Sequence, residues 1–320
     1  MSLTRLSIIR GPAVVIYTTA GGSATTLFSK GDIQLRMANQ TFDIATSLFG
    51  VVDKRTNQRS VEITFTPTGE LTTAFCGVLW PHGSKNPGDS LIGAGNPTIQ
   101  IIPKTGYQYT FYGAVVTKQP QMMLSTTKTL IGSVTFTAIG KEGVLWSTAG
   151  SLYDQATANF GTYAFSASNI RTCPYSGSWG SGPVLALADT KDGWTVDFNV
   201  STTPVEADSF GIVDYTVGDN VATAHCTPLT VSESTLTAFL NLQGSGADRG
   251  QSLLSGNDLA ITPTTGTPVG SANVTLKNCS ILQVGYDYDL QALRVPQIQF
   301  TSIRTLVTNA LVPAYTIAAN

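Results

Sequence analysis

The side chains that most often carry out chemistry in enzymes are few and scattered in this sequence. It has two histidines, His82 and His225, and four cysteines without a Cys-x-x-Cys pair. A zinc site needs three or four such ligands at workable spacings. No G-x-S-x-G elbow and no G-x-x-x-x-G-K-[ST] phosphate loop occurs, although counting alone leaves a Ser-His-Asp triad open. We therefore predict a protein that is not an enzyme and that has no metal and no cofactor.

Two other groups could act on a carbohydrate. Asp287 and Asp289 would share one face of a strand, and paired carboxylates can hydrolyse glycosidic bonds; the alternative is a pair of solvated strand or loop residues. Tyr107 and Tyr109 alternate along a predicted strand and could stack on a sugar, as could Trp194. The alternative for these aromatic residues is cross-strand packing and an interface.

The composition indicates which elements must hold these residues. Of 320 residues, 42% are hydrophobic and only 12% are charged, about half the charged fraction of an average soluble domain. This composition argues against intrinsic disorder and against a coiled coil. The formal net charge of −2 excludes a strongly basic nucleic-acid binder. We expect a β-rich protein whose sparsely charged surface is covered by a neighbour.

Every apolar run is shorter than the span of about 18 residues that a membrane-spanning helix needs, so no membrane insertion is expected. The apolar run from Pro12 to Tyr17 is shorter than the core of a signal peptide and is predicted to be a strand. The four cysteines are predicted to be free, buried thiols in a reducing compartment.

The sequence contains an internal repeat. Phe49-Gly-Val-Val-Asp53 recurs as Phe210-Gly-Ile-Val-Asp214, at an offset of 161 in the numbering. Five further matches occur in the same order at offsets of 160 to 164, among them Ser90-Leu-Ile92 with Ser252-Leu-Leu254. Matches in one order at a nearly constant offset indicate one domain present twice. We predict a first domain over 1–140, a connector over 141–181 and a second domain over 182–320.

Each copy has the alternation of apolar and polar residues that is typical of half-buried strands, as in Val61-Glu-Ile-Thr-Phe65 and Trp194-Thr-Val-Asp-Phe198. One apolar stripe from Leu71 to Leu79 has helical spacing, and the residues from Leu236 to Leu240 repeat it. The predicted fold is therefore all-β, with two tandem β-sandwich or barrel domains and one short helix in each.

Charge differs between the two copies. Residues 1–150 have 12 basic and 7 acidic residues, a net charge of +5, whereas residues 151–320 have 6 and 13, a net charge of −7. Neutral drift on solvated faces is one explanation. The other is that copy one packs on copy two of another subunit, where opposite potentials fix the register. Lys54, Arg55 and Arg59 are the candidates for that contact.

Several segments carry a resemblance to a known family. They are Gly11-Pro-Ala-Val-Val15, Lys30-Gly-Asp-Ile33, Phe49-Gly-Val-Val-Asp53 with Arg55, and Val61 to Glu70 with the helix that follows. In this order they resemble the tail tube (major tail) proteins of tailed bacteriophages, over most of 10–140 and more faintly over 182–307. The second copy lacks the basic residues after Asp214, so a contact made there by copy one does not transfer.

The resemblance implies a structural virion protein with β-sandwich domains that join side by side into rings, which stack into a tube for DNA passage. Family members with one domain use six copies per ring, so a doubled chain implies a homotrimer with pseudo-sixfold symmetry. Assembly in the bacterial cytoplasm, transient contact with DNA, and contacts with tape-measure, tail-terminator and tail-tip proteins are further implications.

Two alternatives stay open. One is a tandem β-sandwich carbohydrate-binding protein or adhesin, and the other is a tail-tip or baseplate protein on the same fold. For contacts between successive rings, the natural candidates are the 141–181 connector and the segment from Trp80 to Ser90, with Trp80, His82 and Lys85.

Overall fold

Antiparallel strands make up most of the molecule. The computed structural model describes residues 13–93, 95–126, 129–145, 148–165, 172–180, 185–187, 190–208, 210–229, 257–264, 266, 268–284, 287–288, 293–294, 297–302, 306–307, 310–311 and 313–320. These residues form strands and one helix, so the prediction of an all-β fold is confirmed.

The first repeat contains twelve strands and the helix. They are β1 (Ala13–Thr18), β2 (Ala24–Ser29), β3 (Gln34–Thr46), β4 (Gly50–Phe65), β5 (Pro67–Thr68), α1 (Thr73–Leu79), β6 (Thr98–Pro103), β7 (Tyr107–Tyr112), β8 (Ala114–Lys118), β9 (Met122–Leu124), β10 (Thr129–Ile131), β11 (Val134–Ala138) and β12 (Tyr153–Thr157). Two sheets result: sheet A has the order β12-β7-β6-β1-β2-β5, and sheet B has the order β3-β4-β11-β8.

The second repeat has the remaining strands. They are β13 (Tyr175–Trp179), β14 (Leu185–Leu187), β15 (Thr190–Ala207), β16 (Gly211–Pro228), β17 (Leu259–Pro263), β18 (Ala272–Leu276), β19 (Ser280–Val284), β20 (Asp287–Tyr288), β21 (Leu293–Arg294), β22 (Ile298–Thr301), β23 (Leu306–Val307), β24 (Ala310–Leu311) and β25 (Tyr315–Ala319). Sheet C has the order β10-β9-β15-β16-β22-β19, and sheet D has the order β14-β13-β17-β18-β25.

The two repeats have the same topology. In strand order, β25-β18-β17-β13-β14 of sheet D corresponds to β12-β7-β6-β1-β2 of sheet A, and β15-β16-β22-β19 of sheet C corresponds to β3-β4-β11-β8 of sheet B. Two differences remain among the described strands: sheet C has two extra strands, β9 and β10, which belong to the first repeat, and β5 of sheet A has no counterpart in sheet D. The internal repeat in the sequence is therefore a repeat of structure.

The correspondence is closest in two long hairpins, the first long hairpin (β3–β4) and the second long hairpin (β15–β16). The first has bulges after Gln40 and after Ile44, and the second has bulges after Ser201 and after Val205, so that both bulges recur at the offset of 161. A bulge inserts a residue and re-aims a strand. Two bulges at equal spacing therefore give both hairpins the same bend and the same register.

The four sheets contact one another in a ring around one apolar core. Sheets A and B meet through Tyr17 and Phe136, whose ring centroids are 5.4 Å apart, and sheets C and D meet through Trp179 and Phe300 at 6.0 Å. Strand β4 of sheet B contacts β16 of sheet C, while α1 contacts both β2 and β25. Because β2 lies in sheet A and β25 in sheet D, the helix contacts one sheet of each repeat and so connects the two repeats.

The helix is shorter than its apolar stripe. It begins at Thr73, after Thr72, whose Oγ1 accepts a hydrogen bond from the Phe75 backbone N–H at 3.2 Å. Such an N-cap satisfies one of the free N–H groups at a helix start. Leu71 is buried before the first turn. The second predicted helix, near Leu236 to Leu240, lies outside the described residues.

The segment predicted as a connector, 141–181, contains two strands. Strand β12 pairs with β7 of the first repeat, and β13 pairs with β17 of the second repeat. The strand that corresponds to β1 is therefore β13, upstream of residue 182. Its buried positions include Gly177, because a side chain there would overlap the indole ring of Trp194. That glycine removes the apolar alternation by which a strand is recognised.

Candidate functional site

The contact between the two repeats begins with a strand of the first repeat that joins a sheet of the second. Strand β9 pairs antiparallel with β15, so that Leu124 lies opposite Trp194 and Met122 lies opposite Val196. We call β9–β10 the first edge hairpin. Met122, Leu124, Trp194 and Val196 are all buried, so this pairing is both a backbone ladder and part of the apolar core.

A second segment of the first repeat, residues 86–92, bonds to the other edge of the second long hairpin. The Gly88 N–H donates to the Val217 carbonyl at 2.7 Å, and the Leu91 N–H donates to the Tyr215 carbonyl at 2.8 Å. The Val217 N–H donates in turn to the Asp89 carbonyl at 3.0 Å. The first repeat thus contacts both edges of β15–β16, and we call the whole contact the repeat junction.

Buried aromatic and polar side chains complete the repeat junction. The Trp80 ring lies 5.8 Å from the Phe198 ring, and the Trp80 Nε1–H donates to the Pro120 carbonyl at 2.8 Å. Asn220 Nδ2 donates to the His82 carbonyl, and Gln119 hydrogen-bonds the Tyr315 hydroxyl. Trp80 and His82, which were predicted to contact another ring, are therefore buried within the chain, between its two repeats.

His82 is held in its neutral form at this junction. Its Nε2 lies 2.6 Å from the Val116 carbonyl, which can only accept, so Nε2 carries the proton. Burial lowers the pKa of His82 to about 4, and the hydrogen bond to Val116 opposes this shift without reversing it, while the positive charge of Lys85 adds to it. A protonated His82 would thus place an unpaired charge inside the junction.

We expect the repeat junction to weaken in acid. The His82 pKa of about 4 lies below its ordinary value of 6.5, so the unfolded chain binds more protons between these pH values. The free energy of unfolding then falls by up to about 3 kcal/mol as pH falls from 6.5 to 4, and is constant above 6.5. Urea unfolding at a series of pH values measures this, and His82→Gln, which does not titrate, should flatten that part of the curve. An unchanged slope in the variant would contradict the assignment.

Equivalent positions of the two long hairpins differ sharply in burial. Leu35 is 46% exposed, whereas its counterpart Val196 is fully buried, and Met37 is 55% exposed, whereas Phe198 is 4% exposed. On the second strand, Val51 is 52% exposed and its counterpart Ile212 is 8% exposed. The first repeat covers these positions of the second long hairpin, whereas Phe210 and Val213 near its turn stay 37% and 40% exposed. No described residue covers the equivalent positions of the first long hairpin to the same extent. This uncovered apolar surface is the candidate functional site.

Two of the predicted contact residues lie on this surface. Lys54 pairs with Asp43 at 3.2 Å and Arg55 with Asp53 at 3.6 Å, both exposed pairs that contribute little to stability. In the second hairpin, the positions equivalent to Lys54 and Arg55 are Tyr215 and Thr216, which bond the 86–92 segment. Lys54 and Arg55 thus occupy, in the first hairpin, the positions at which the second hairpin contacts the first repeat.

Arg59 and Lys85 lie near the repeat junction itself. Arg59 lines a cleft of about 890 Å³ between the first repeat and the turn of the second long hairpin. The Lys85 ammonium donates to the Ser90 carbonyl at 2.9 Å, inside the segment that bonds β16.

No sequence pattern indicated β9, the strand from Met122 to Leu124 that pairs with β15. Its counterpart in the second repeat, near Asp287, is polar, so the two segments do not match in sequence.

Of the residues predicted to act on a carbohydrate, Trp194 and Tyr109 are used in packing, Tyr107 is exposed, and Asp289 lies outside the described residues. Trp194 is fully buried, so it cannot stack on a sugar, and Tyr109 packs across strands on Tyr153 at 6.1 Å. At the edge of the cleft, Asp154 accepts from the Tyr112 hydroxyl at 2.5 Å and pairs with Lys141 at 3.1 Å. Burial, and to a smaller extent this hydrogen bond, raises the pKa of Tyr112 to about 12. The pKa of Asp154 is lowered, chiefly by the hydrogen bond that it accepts from Tyr112. Both shifts move these groups away from acid–base work at neutral pH.

The thiols are similarly inert. All four cysteines are buried thiols outside any disulfide, as predicted, and burial raises the pKa of Cys76, Cys226 and Cys279 to about 12. A high pKa keeps a thiol in its unreactive protonated form. Within the described part of the chain, no three His, Cys, Asp or Glu side chains are grouped as metal ligands would be.

No helix in the described ranges is long and apolar enough to cross a membrane. Models of known protein families gave no match to the chain, and curated proteins gave no significant match either. The geometry of the repeat junction and the uncovered first long hairpin therefore carry the functional argument.

Proposed function

We propose that this chain is a non-enzymatic structural subunit that assembles with copies of itself into trimeric rings, which stack into the tail tube of a bacteriophage particle and pass DNA. The single observation that carries this proposal is the difference in burial between the two long hairpins. One apolar hairpin is covered by the first repeat of its own chain. Its counterpart, with the same bends and register, needs a cover that its own described residues do not supply.

The nature of the repeat junction explains why the missing cover is a second copy. The junction joins two different surfaces, the 86–92 segment and the first edge hairpin on one side and a long hairpin on the other. Contacts of this head-to-tail kind close into a ring when the rotation is right. We propose that the contact repeats between chains, second repeat on first repeat, and so closes a ring that consumes the sheet edges that would otherwise aggregate. The number of six repeats, and therefore three chains, is what the resemblance to tail tube proteins implies.

The polar face of sheet B suits the lining of a passage. Hydroxyl pairs join its neighbouring strands, with Thr64 and Thr135 at 3.0 Å and Thr117 and Thr137 at 2.8 Å. DNA is held mainly by Lys and Arg through counterion release. Thr137 is buried, and Arg36 lies on the same face, opposite Glu62. In such a passage DNA would therefore meet the hydroxyl groups of Thr64, Thr117 and Thr135 beside one basic and one acidic side chain.

The proposal predicts that Met37→Glu abolishes assembly without unfolding the chain. In the wild type, sedimentation should show a species of three 33.7 kDa chains, and negative-stain electron microscopy should show rings and tubes. A carboxylate at position 37 would be desolvated in the contact, so the variant should stay monomeric with an unchanged unfolding temperature. The matched control is Val269→Glu, on an equally exposed apolar residue outside the hairpin, which should assemble normally.

Three results would decide against the proposal. A wild-type chain that stays monomeric at high concentration, with no rings, would contradict self-assembly. Rings that never stack would favour the tail-tip or baseplate alternative. Saturable glycan binding that is lost in Tyr107→Ala, without any polymer, would favour the carbohydrate-binding alternative.

A further inference from the structure

We propose that β20–β21, the second edge hairpin, adds as an antiparallel edge strand to β3 of the next chain in the ring. This inference rests on the proposed self-assembly and names the elements that meet. It follows from an in-chain precedent, the pairing of the first edge hairpin with β15, and from the position of the equivalent elements in the other repeat.

The two edge hairpins occupy equivalent places. Each follows an edge strand of its repeat along the chain: β9–β10 follows β8 of sheet B, and β20–β21 follows β19 of sheet C. Strands β8 and β19 have the same irregularity, a residue skipped opposite β11 at Thr117 and opposite β22 at Leu282, which are related by an offset of 165. At that same offset, β9 begins at Met122 and β20 begins at Asp287. The second repeat thus contains its own copy of the hairpin that pairs with β15 at the repeat junction.

The edge that would receive this hairpin is defined by the long hairpins. Residues Trp194 to Val196 of β15 pair with β9, and the offset of 161 places Ile33 to Leu35 at the equivalent edge. Among the described strands, β3 pairs with β4 alone, and β20–β21 pairs with no third strand. An edge strand with unpaired N–H and C=O groups is a template for another strand, and strand addition is a common mode of recognition.

The residues at the two edges differ in a way that favours a second copy as the partner. On β15, Asp197 accepts a hydrogen bond from Gln121, just before β9, at 2.6 Å. The equivalent residue on β3 is Arg36, while the second edge hairpin begins with Asp287 where the first has Met122. On the edge a basic residue has replaced an acidic one, and at the start of the hairpin Asp287, which lies opposite Arg294 of β21, has replaced an apolar residue. Complementary charge of this kind selects the partner and its register.

The contact can be tested by cross-linking between chains. In the register transferred from the repeat junction, Gln34 of one chain lies opposite Tyr288 of the next. The variant with Gln34→Cys and Tyr288→Cys should, on mild oxidation, give covalent dimers and trimers and nothing larger within a ring. The four native thiols are buried, so they add little background. Gln34→Cys with Val269→Cys is the control that should give no ladder.

A charge variant provides an independent measurement. Arg36→Asp places an acidic residue next to the position proposed for Asp287 of the neighbouring chain. We expect the concentration needed for half-assembly to rise by about tenfold or more, an effect that high salt reduces. Lys104→Asp makes the same change in net charge on an exposed turn and should assemble as the wild type does.

The outcomes separate this inference from the proposed function. If wild-type rings form but the Gln34–Tyr288 variant gives no more ladder than its control, and Arg36→Asp assembles normally, strand addition is refuted while self-assembly stands. If the wild type forms no rings at any concentration, self-assembly itself fails. The inference is supported if the Gln34–Tyr288 variant gives a ladder that ends at three chains, and if assembly is weakened in Arg36→Asp but not in Lys104→Asp.

Discussion

Gly193→Ala should break the repeat junction and lower the free energy of unfolding by roughly 2–5 kcal/mol. Gly193 has a φ of +81°, where alanine is strained, and it lies where β15 meets the first edge hairpin. A Cβ atom there would overlap the Leu124 carbonyl oxygen and Ser125. Because the obstacle is backbone, it cannot rotate away, so β9 must move off β15. Urea unfolding measures the loss, and cleavage by a protease near 119–133 should become faster.

Gly22→Ala is the matched control for this substitution. Gly22 has a similar φ of +84°, and no atom lies within 4 Å of the Cβ position. The variant therefore suffers the same backbone strain without the overlap, and should lose about 1 kcal/mol. If both variants lost the same free energy of unfolding, backbone strain alone would explain the loss, and the close approach of Gly193 to Leu124 and Ser125 would contribute nothing.

Trp194→Ala should cost about 3–5 kcal/mol, the usual range for deleting a large buried aromatic side chain. Trp194 is fully buried, lies over Gly177, and packs on the Phe300 ring at a centroid distance of 6.2 Å. It is also the residue of β15 opposite Leu124 of β9. The cavity would thus open at the meeting point of sheets C and D and of the two repeats. Denaturant unfolding and near-ultraviolet circular dichroism report the change.

Tyr107→Ala gives the comparison. Tyr107 is an exposed aromatic residue at the start of β7, so its removal should change the free energy of unfolding by no more than about 0.5 kcal/mol. A similar loss in both variants would contradict the placement of Trp194 in the core.

The repeat could be predicted because its signal is carried by motifs that keep their spacing. The match of Phe49 to Asp53 with Phe210 to Asp214 gave the offset that the two hairpins share down to their bulges. The boundary between the domains was less visible, because β13 is a Tyr-Ser-Gly-Ser-Trp strand. Its central buried position is a glycine that makes room for Trp194, and a partner so distant in sequence leaves no local pattern.

The candidate site could be predicted only in part. Opposite charge in the two halves pointed to Lys54 and Arg55, which lie at positions equivalent to a backbone contact of the other repeat. The structure buries the side chains of Trp80 and His82 inside the chain, where they contribute to the repeat junction. Their predicted role between rings is not tested by this placement and stays a prediction. The edge hairpins were invisible because Met122 and Asp287 differ in polarity, and it is topology that makes them equivalent.

Covalent linkage of the two repeats has a consequence for how the proposed ring would begin to form. Half of its six contacts are then made during the folding of single chains, at an effective concentration set by the linker between repeats and independent of the amount of protein. Only three encounters between molecules are needed for closure, and each joins a preformed pair. Fusion also allows the contact within the chain and the contact between chains to differ in sequence. The contact within the chain could then become apolar and permanent, while the contact between chains kept the charges that control when and with which partner it forms.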